Sequence, residues 1–321
     1  MGYKIAVLRG GPSSEYEVSL KTGKAVLDAL CDTHHVCDIT IDQEGRWYKD
    51  GLQVLPAVVL RDVDVVFNAM HGEYGEDGKV QQLLDSINAT YTGPRALGAA
   101  LAMHKAKAKE VYKEHGLKTP LWFVAVKTSD TELQAHDILR KMPLPVILKP
   151  VDRGSSVGIT IANSYHALVD GLNALYQFVD SVLVEEYIRG KEGTVGVIEQ
   201  FRNQELYPLL PIEIIPPAHK EFFDYECKYD GSTRKICPGT FTRAESEAMQ
   251  RAAVAAHRAL GLRHYSRTDF IVHPKRGVYV IETNALPGLT SESLLPSALA
   301  PVGATYRGFL EHIIGLARDG K

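Results

Sequence analysis

The sequence predicts an α/β unit followed by two α+β units, and three observations carry that expectation. Strand-like and helix-like segments alternate over roughly the first hundred residues, which predicts a parallel sheet. Beyond about residue 120, short β-branched runs outnumber the helical stretches. At 321 residues the chain also exceeds one ordinary domain, so two or three packed units are expected.

Taken in order, "YKIAVL" reads as a buried strand that ends at Gly10-Gly11. Ser13 or Ser14 then stands where it would cap a helix, whose apolar positions Val18, Ala25, Val26, Ala29 and Leu30 follow helical spacing. "VCDITI" and "DVVFNAM" read as strands, "VQQLLDSI" as a helix and "ATYTG" as a further strand. A helix from about Ala96 to His115 opens the second unit. That unit has strands "LWFVAV", "PVILKPV", "GITIA" and "VLVEEYI", with helices around 131–141 and 165–178. The third has "TVGVIE", "ELYPLLPIEII", a helix over 243–260, strands "RTDFIVH" and "VYVIETN", and a last helix over 302–317. Segment 218–240 has little apolar periodicity and reads as a long loop, of the length that serves as a functional lid. The expected boundaries are 1–101, 102–189 and 190–321.

Composition narrows the function classes. Hydrophobic residues make up 45% and charged residues 23%, the balance of a soluble globular protein with ample core. A formal net charge of −3 gives no electrostatic footprint for nucleic acid or an anionic membrane. Cysteines 31, 37, 227 and 237 form neither a Cys-x-x-Cys pair nor a zinc spacing, so free thiols in a reducing cytosol are expected. The apolar run in "MGYKIAVLRGG" is too short for a signal peptide, and no stretch approaches the roughly 20 residues of a membrane helix. A cytoplasmic location follows as the expectation.

The first chemical signal is the pair "SRTDFIVH" and "YVIETNALPG", separated by the turn "PKRG". Residues i and i+2 of a strand share a face, so Arg267 joins Asp269 and Glu282 joins Asn284. Folding the hairpin about its centre brings Asp269 opposite Glu282, since cross-strand partners sit about 5 Å apart. Two uncompensated carboxylates repel, so a cation is expected between them. Oxygen-only ligands this few suit Mg²⁺ shared with phosphate oxygens. The plainer alternative is a polar strand face carrying an Arg–Asp pair. The neighbouring "NALPG" favours the metal.

Magnesium with phosphate implies a nucleotide. The chain has no P-loop motif and no Gly-x-Gly-x-x-Gly after a strand. "KPVDRGSSVG" remains, where backbone N–H groups from Gly154 to Val157, two serine hydroxyls and Lys149 can surround phosphate oxygens. Glu185, Glu186 and Glu192 in "VEEYIRGKE" bracket a strand edge that could read an adenine amino group and ribose hydroxyls, or be a solvated acidic edge.

In combination these stretches resemble the D-alanine–D-alanine ligase family of the ATP-grasp superfamily, over essentially the whole chain. "GGPSSEYEVSL", "HGEYGEDG", "YTGP", "KPVDRGSSVG", "EEYIRGKE", "DYECKY" and "RTDF…ETNALPGLTSES" occur in that family's order. The resemblance implies an ATP-grasp fold in which the loop 152–158 folds over ATP between two antiparallel sheets. It matches Lys105 and Lys149, with Gly154, Ser155 and Ser156, to the phosphates. It matches Glu185, Glu186, Ile188 (by its backbone) and Glu192 to the adenosine. Asp269, Glu282 and Asn284 match ligands of two Mg²⁺ ions, for which Mn²⁺ is an acceptable substitute.

The substrate residues follow from the same resemblance. Glu15 and His71 match groups around the ammonium of the first D-alanine, and Ser155 and Tyr229 a hydrogen-bonded set with Glu15. Arg267 and the N–H of Gly288 match the site of the reacting carboxyl oxygen. Lys228, Ser293 and the adjacent Leu294 match the clamp on the second carboxylate. The implied activity joins two D-alanines through an acyl phosphate for peptidoglycan precursor synthesis, with a homodimer as the expected assembly. Relatives that join D-alanine to D-lactate or D-serine, another ATP-grasp ligase and a nucleotide-binding module are the alternatives. The Lys228-Tyr229 pair favours the dipeptide. The chain departs from the family at His104, where Asp is usual, a change expected to weaken a helix cap or a nearby contact. It also places Pro12 in the first glycine turn, where a fixed φ is tolerable.

Overall fold

The alternating first hundred residues build one sheet in a computed structural model that describes residues 2–152, 154, 158–217 and 233–320. Its strands are β1 (Lys4–Gly10), β2 (His35–Ile41), β3 (Trp47–Lys49), β4 (Leu52–Val54) and β5 (Val65–Asn68), in the order β4-β3-β2-β1-β5. β1 runs parallel to β2 and β5, as the alternation predicts, whereas β3 and β4 add an antiparallel edge. Those two strands are only three residues each, too short to leave a period in the sequence. The expected strand "ATYTG" is only a single bridge, Val66 to Tyr91.

The second sheet contains β6 (Trp122–Val126), β7 (Val146–Pro150), β8 (Thr160–Ala162) and β9 (Ser181–Glu186), antiparallel in the order β6-β9-β7-β8. The third contains β10 (Lys191–Phe201), β11 (Gln204–Pro208), β12 (Ile212–Ile215), β13 (Arg234–Ile236), β14 (Tyr265–His273) and β15 (Gly277–Asn284). Its order is β13-β12-β10-β14-β15, with β11 paired to β10. Most of the candidate lid, residues 218–232, lies outside the described residues. The remainder is not all loop, since β13 pairs with β12.

Local chemistry explains where helices start. The helix Tyr16–Leu30 is not capped by Ser13 or Ser14; Glu15 occupies the cap position, and Ser13 Oγ instead accepts a bond from Glu15 N at 3.0 Å. The expected helix from Ala96 to His115 is two, Ala96–Met103 and Lys105–Glu114, broken at His104. His104 does not leave the second helix uncapped. Its extended backbone ends the first helix, and its Nδ1 accepts from Lys107 N at 3.2 Å. The helix Arg243–Ala259 begins with a reciprocal capping box between Thr242 and Glu245.

Packing ties the units together. The helix Tyr306–Asp319 buries Phe309, Leu310, Ile313 and Ile314 in one core with Ile5, Val7, Val26 and Leu30 of the N-terminal unit. The helix Lys105–Glu114 links the other two sheets. Its Ala106 packs with Val151 and Leu183, while Ala108 and Tyr112 pack under β14 and β15 with Phe270 and Val280. Lysines 105 and 109 therefore sit where the second and third sheets face each other.

Candidate active site

A cleft of about 750 Å³ opens between the units, and Glu15, His71, Lys105, Arg267, Glu282 and Gly288 are among its lining residues. Glu76, Gly154, Asn284, Ser293 and Leu294 line it as well.

The β14–β15 hairpin sets one wall. Asp269 is the register partner of Glu282, and Arg267 that of Asn284, with the ladder shifting just after Asp269. The turn at 274–276 brings Asp269 near Glu282, and the shift, which skips Ile281, sets the two directly opposite. The carboxylates are not uncompensated, however. Arg267 donates to both oxygens of Asp269, Nε to Oδ1 and Nη2 to Oδ2, each at 2.9 Å. Thr194 Oγ1 donates to Oδ1 at 2.5 Å, and Asn284 Nδ2 to Oδ2 at 3.0 Å. Lys105 Nζ stands 3.8 Å from Glu282. Burial alone would lower the pKa of Arg267, but Asp269 outweighs it and holds the guanidinium charged. Among the described residues no three His, Cys, Asp or Glu side chains form a metal-holding group. Two carboxylates and an amide oxygen are nonetheless the hard donors that Mg²⁺ takes alongside phosphate. Asp269 already accepts four hydrogen bonds, so a cation there would displace the neutral amide of Asn284 before the charged Arg267.

The second sheet supplies a buried charge cluster. Lys149 Nζ lies 3.2 Å from Glu185 Oε1, and Lys109 Nζ lies 3.2 Å from Oε2. Lys109 and Glu185 are each only 1% exposed. Burial pushes the Lys109 ammonium down to about 8, against the pull of Glu185. Burial would raise Glu185, but the two lysines outweigh it and keep the carboxylate ionised. The sequence reading missed Lys109. Its signal is position: four residues after Lys105, it lies on the same helix face. Glu186 pairs with Arg276, Ile188 is buried, and Glu192 is the second residue of β10.

The N-terminal unit forms the opposite wall. A Cβ at Gly72, whose φ is +70°, would meet Ser13 Oγ at 2.2 Å and Glu15 Oε2 at 3.0 Å. Glycine there lets the 71–78 loop pass directly beneath Glu15. A Cβ at Gly154 would stand 2.8 Å from Glu15 Oε2, so the glycine-rich loop also reaches this carboxylate. Both ring nitrogens of His71 are used within the protein: Nε2 contacts Thr22 Oγ1 at 2.8 Å and Nδ1 contacts the carbonyl of Leu286 at 3.1 Å. Burial lowers its pKa, which favours the neutral ring: Nδ1–H donates to Leu286 and Nε2 accepts from Thr22. In the ligand-free chain both ring nitrogens are thus engaged by the protein, while His71 still lines the cleft beside Glu15. Glu76, which the sequence reading quoted in its motif without a role, accepts from Gly72 N at 2.7 Å and Leu286 N at 3.2 Å. Burial, with the charge of Glu15, raises its pKa to about 8.

Ser293 Oγ bonds to Thr290 N at 3.1 Å and Thr290 Oγ1 at 2.8 Å, and a Cβ at Gly288 would stand 2.9 Å from that same Oγ. Ser155, Ser156, Lys228 and Tyr229 lie outside the described residues.

A parallel-centred N-terminal sheet and two antiparallel sheets that meet at a charged cleft define an ATP-grasp protein. The chain belongs to the D-alanine–D-alanine ligase family. Its residues 4–57 and 51–94 match the family's "D-ala D-ala ligase N-terminus", and residues 111–315 match the "D-ala D-ala ligase C-terminus". The D-alanine–D-alanine ligase of Halalkalibacterium halodurans is 38% identical over 317 residues, covering 98% of this chain and 99% of that one. The crystal structure of the Bacillus anthracis D-alanine–D-alanine ligase complexed with ATP superposes with a TM-score of 0.81 at 31% identity, covering 100% of this chain and 98% of that one. The VanG D-Ala:D-Ser ligase of Enterococcus faecalis superposes at 0.85 with 28% identity, over 99% of this chain and 100% of that one.

Proposed function

We propose that the chain is an ATP-dependent carboxylate–amine ligase that joins two D-alanines and so feeds peptidoglycan precursor synthesis in the cytoplasm. The observation that carries this reading is the β14–β15 register, which groups Arg267, Glu282 and Asn284, with Asp269 bonded behind them, on the cleft that Glu15 also lines. A module that only binds nucleotide has no use for that arginine.

In this reading the carboxylate of the first D-alanine attacks the γ-phosphorus of ATP, giving an acyl phosphate and ADP. The amine of the second, once neutral, attacks the acyl carbon, and phosphate leaves. Lys105 and Lys149 offset phosphate charge, with the backbone of Gly154, Ser155 and Ser156 around the same oxygens. Glu185, Glu186, Ile188 and Glu192 hold the adenosine. Glu15 faces the first ammonium, while Ser155 and Tyr229 complete its hydrogen-bonded set. Arg267 and the Gly288 N–H stabilise the oxyanion, at roughly 3 kcal/mol per donor in comparable sites. Lys228, Ser293 and Leu294 clamp the second substrate. Asp269, Glu282 and Asn284 would hold two Mg²⁺ ions, which neutralise charge on the transferring phosphoryl group when bound. Three functional units, 1–101, 102–189 and 190–321, and a homodimer belong to the same proposal. Among the described residues, no helix is long and apolar enough to cross a membrane.

The likeness to a D-Ala:D-Ser ligase makes D-serine the rival second substrate. Purified protein is incubated at pH 7 with ATP, D-alanine and an excess of either D-serine or D-lactate. D-Alanyl-D-alanine is expected as the main product in both mixtures. A mixed dipeptide or depsipeptide in the majority overturns the assignment of the second site.

A further inference from the structure

The backbone of one residue in the cleft is held at both its N–H and its carbonyl by a single loop. Leu286 lies between Asn284, the last residue of β15, and Gly288, whose N–H the reading above gives to the oxyanion. Its N–H donates to Glu76 Oε1 at 3.2 Å, and its carbonyl accepts from His71 Nδ1 at 3.1 Å. Both side chains come from "HGEYGEDG" in the N-terminal unit, more than two hundred residues away in sequence. The Leu286 side chain is fixed as well, since a Cβ at Gly93 would stand 2.6 Å from its Cδ2.

The holding groups are themselves held. His71 is fastened at Nε2 by Thr22 in the helix that follows Glu15. Glu76 is fastened at Oε2 by the N–H of Gly72, and Gly72 lies directly against Glu15. The chain of contacts therefore runs from Glu15, through one rigid loop, to the backbone that carries Gly288. A histidine whose two ring nitrogens are both bonded inside the protein has no N–H for a substrate. A carboxylate that binds two backbone N–H groups, one on each side of the cleft, is likewise placed for geometry.

We propose that His71 and Glu76 are positioning residues that act together as a two-point clasp on the Leu286 backbone, one on each of the two peptide units that flank its Cα. The clasp sets the distance between the Gly288 N–H and the first-substrate site at Glu15. This inference rests on the ligase reading above. A misplacement of about 1 Å at a reacting centre costs about 10²-fold in rate, and an oxyanion donor is the kind of group on which such an error tells.

The test uses His71→Gln, His71→Asn, Glu76→Gln and the double variant His71→Gln/Glu76→Gln. An asparagine amide nitrogen can stand where Nδ1 stands and restore donation to the Leu286 carbonyl; a glutamine amide mimics the Nε2 side and cannot. Hydrogen exchange at the Leu286 and Gly288 amides is read together with kcat and each KM. His71→Gln and Glu76→Gln are each expected to speed exchange at both amides and lower kcat by about 10²-fold, with the KM for ATP within about twofold. His71→Asn should recover most of what His71→Gln loses. The double variant should lose little more than the worse single one, because either opening frees the same residue's backbone. Unchanged exchange, losses that multiply, or a defect confined to the KM for D-alanine would overturn the clasp. Absence of D-alanine-dependent turnover in the unaltered protein would instead overturn the ligase reading. The exchange measurement would still decide the clasp.

Discussion

At the scale of single residues, the Lys109–Glu185–Lys149 cluster holds two buried cations and one buried anion. Deleting Lys109 leaves a balanced pair, whereas neutralising Glu185 leaves two facing ammonium groups. Glu185→Gln is therefore expected to cost about 3–5 kcal/mol in urea unfolding, and Lys109→Met about 1 kcal/mol or less. Equal costs for the two would contradict the charge argument. Glu76 gives a pH prediction. Its folded pKa, about 8, lies above the ordinary carboxylate value of 4.5, so the folded state holds the proton more tightly than the unfolded chain. Its contribution to stability is fully present below about pH 4.5 and is lost as the pH rises toward 8. Glu76→Gln should flatten the pH dependence of the melting temperature across that window, and an unchanged slope would refute it. Glu282→Gln should lose turnover and regain part of it at raised Mg²⁺, because it removes one of two facing carboxylates; a loss that Mg²⁺ does not touch would remove Glu282 from the metal site.

At the scale of elements, the break at His104 is the most informative departure from the sequence reading. Nothing in the periodicity of "ALGAALAMHKAKAKEVYKE" marks an interruption, because both halves are good helix formers. The break depends on a histidine that serves as a cap through Nδ1, a role that residue type rarely signals. His104→Ala should cost about 1 kcal/mol, and His104→Asp should gain several tenths, since an aspartate both caps and complements the helix dipole. Chemical denaturation of the two variants checks this, and a stabilising alanine would contradict it. The β14–β15 hairpin, by contrast, was legible in outline. The turn "PKRG" and the two-residue alternation are local and bring Asp269 near Glu282, but the shift past Ile281 that sets the two directly opposite left no mark in them. The Arg267–Asp269 pair was readable there as the plainer alternative, but Thr194 was not, since it arrives from β10, 75 positions away. The same limit applies to His71. Its motif was visible, but its partners Thr22 and Leu286 meet it only through the fold.

At the scale of the whole molecule, stability and site are shared between distant parts of the chain. The C-terminal helix Tyr306–Asp319 closes the core of the N-terminal unit, so Ile313→Ala is expected to cost about 2–5 kcal/mol in a single cooperative transition. Separate melting of the N-terminal unit would contradict that shared core. The three sheets were readable from the order of strands and helices, yet the packing that makes one cleft from them was not. It depends on the helix Lys105–Glu114 turning Ala106 to one sheet and Tyr112 to another. In the proposed function this cleft joins two D-alanines at the expense of ATP. The most direct measurement follows ADP release and dipeptide formation together, with D-alanine as the only amino acid. One ADP per D-alanyl-D-alanine is expected, with both products abolished when D-alanine is omitted or Mg²⁺ is removed with EDTA. ADP released without D-alanine, or D-alanine-dependent ADP release with no dipeptide formed, would contradict it.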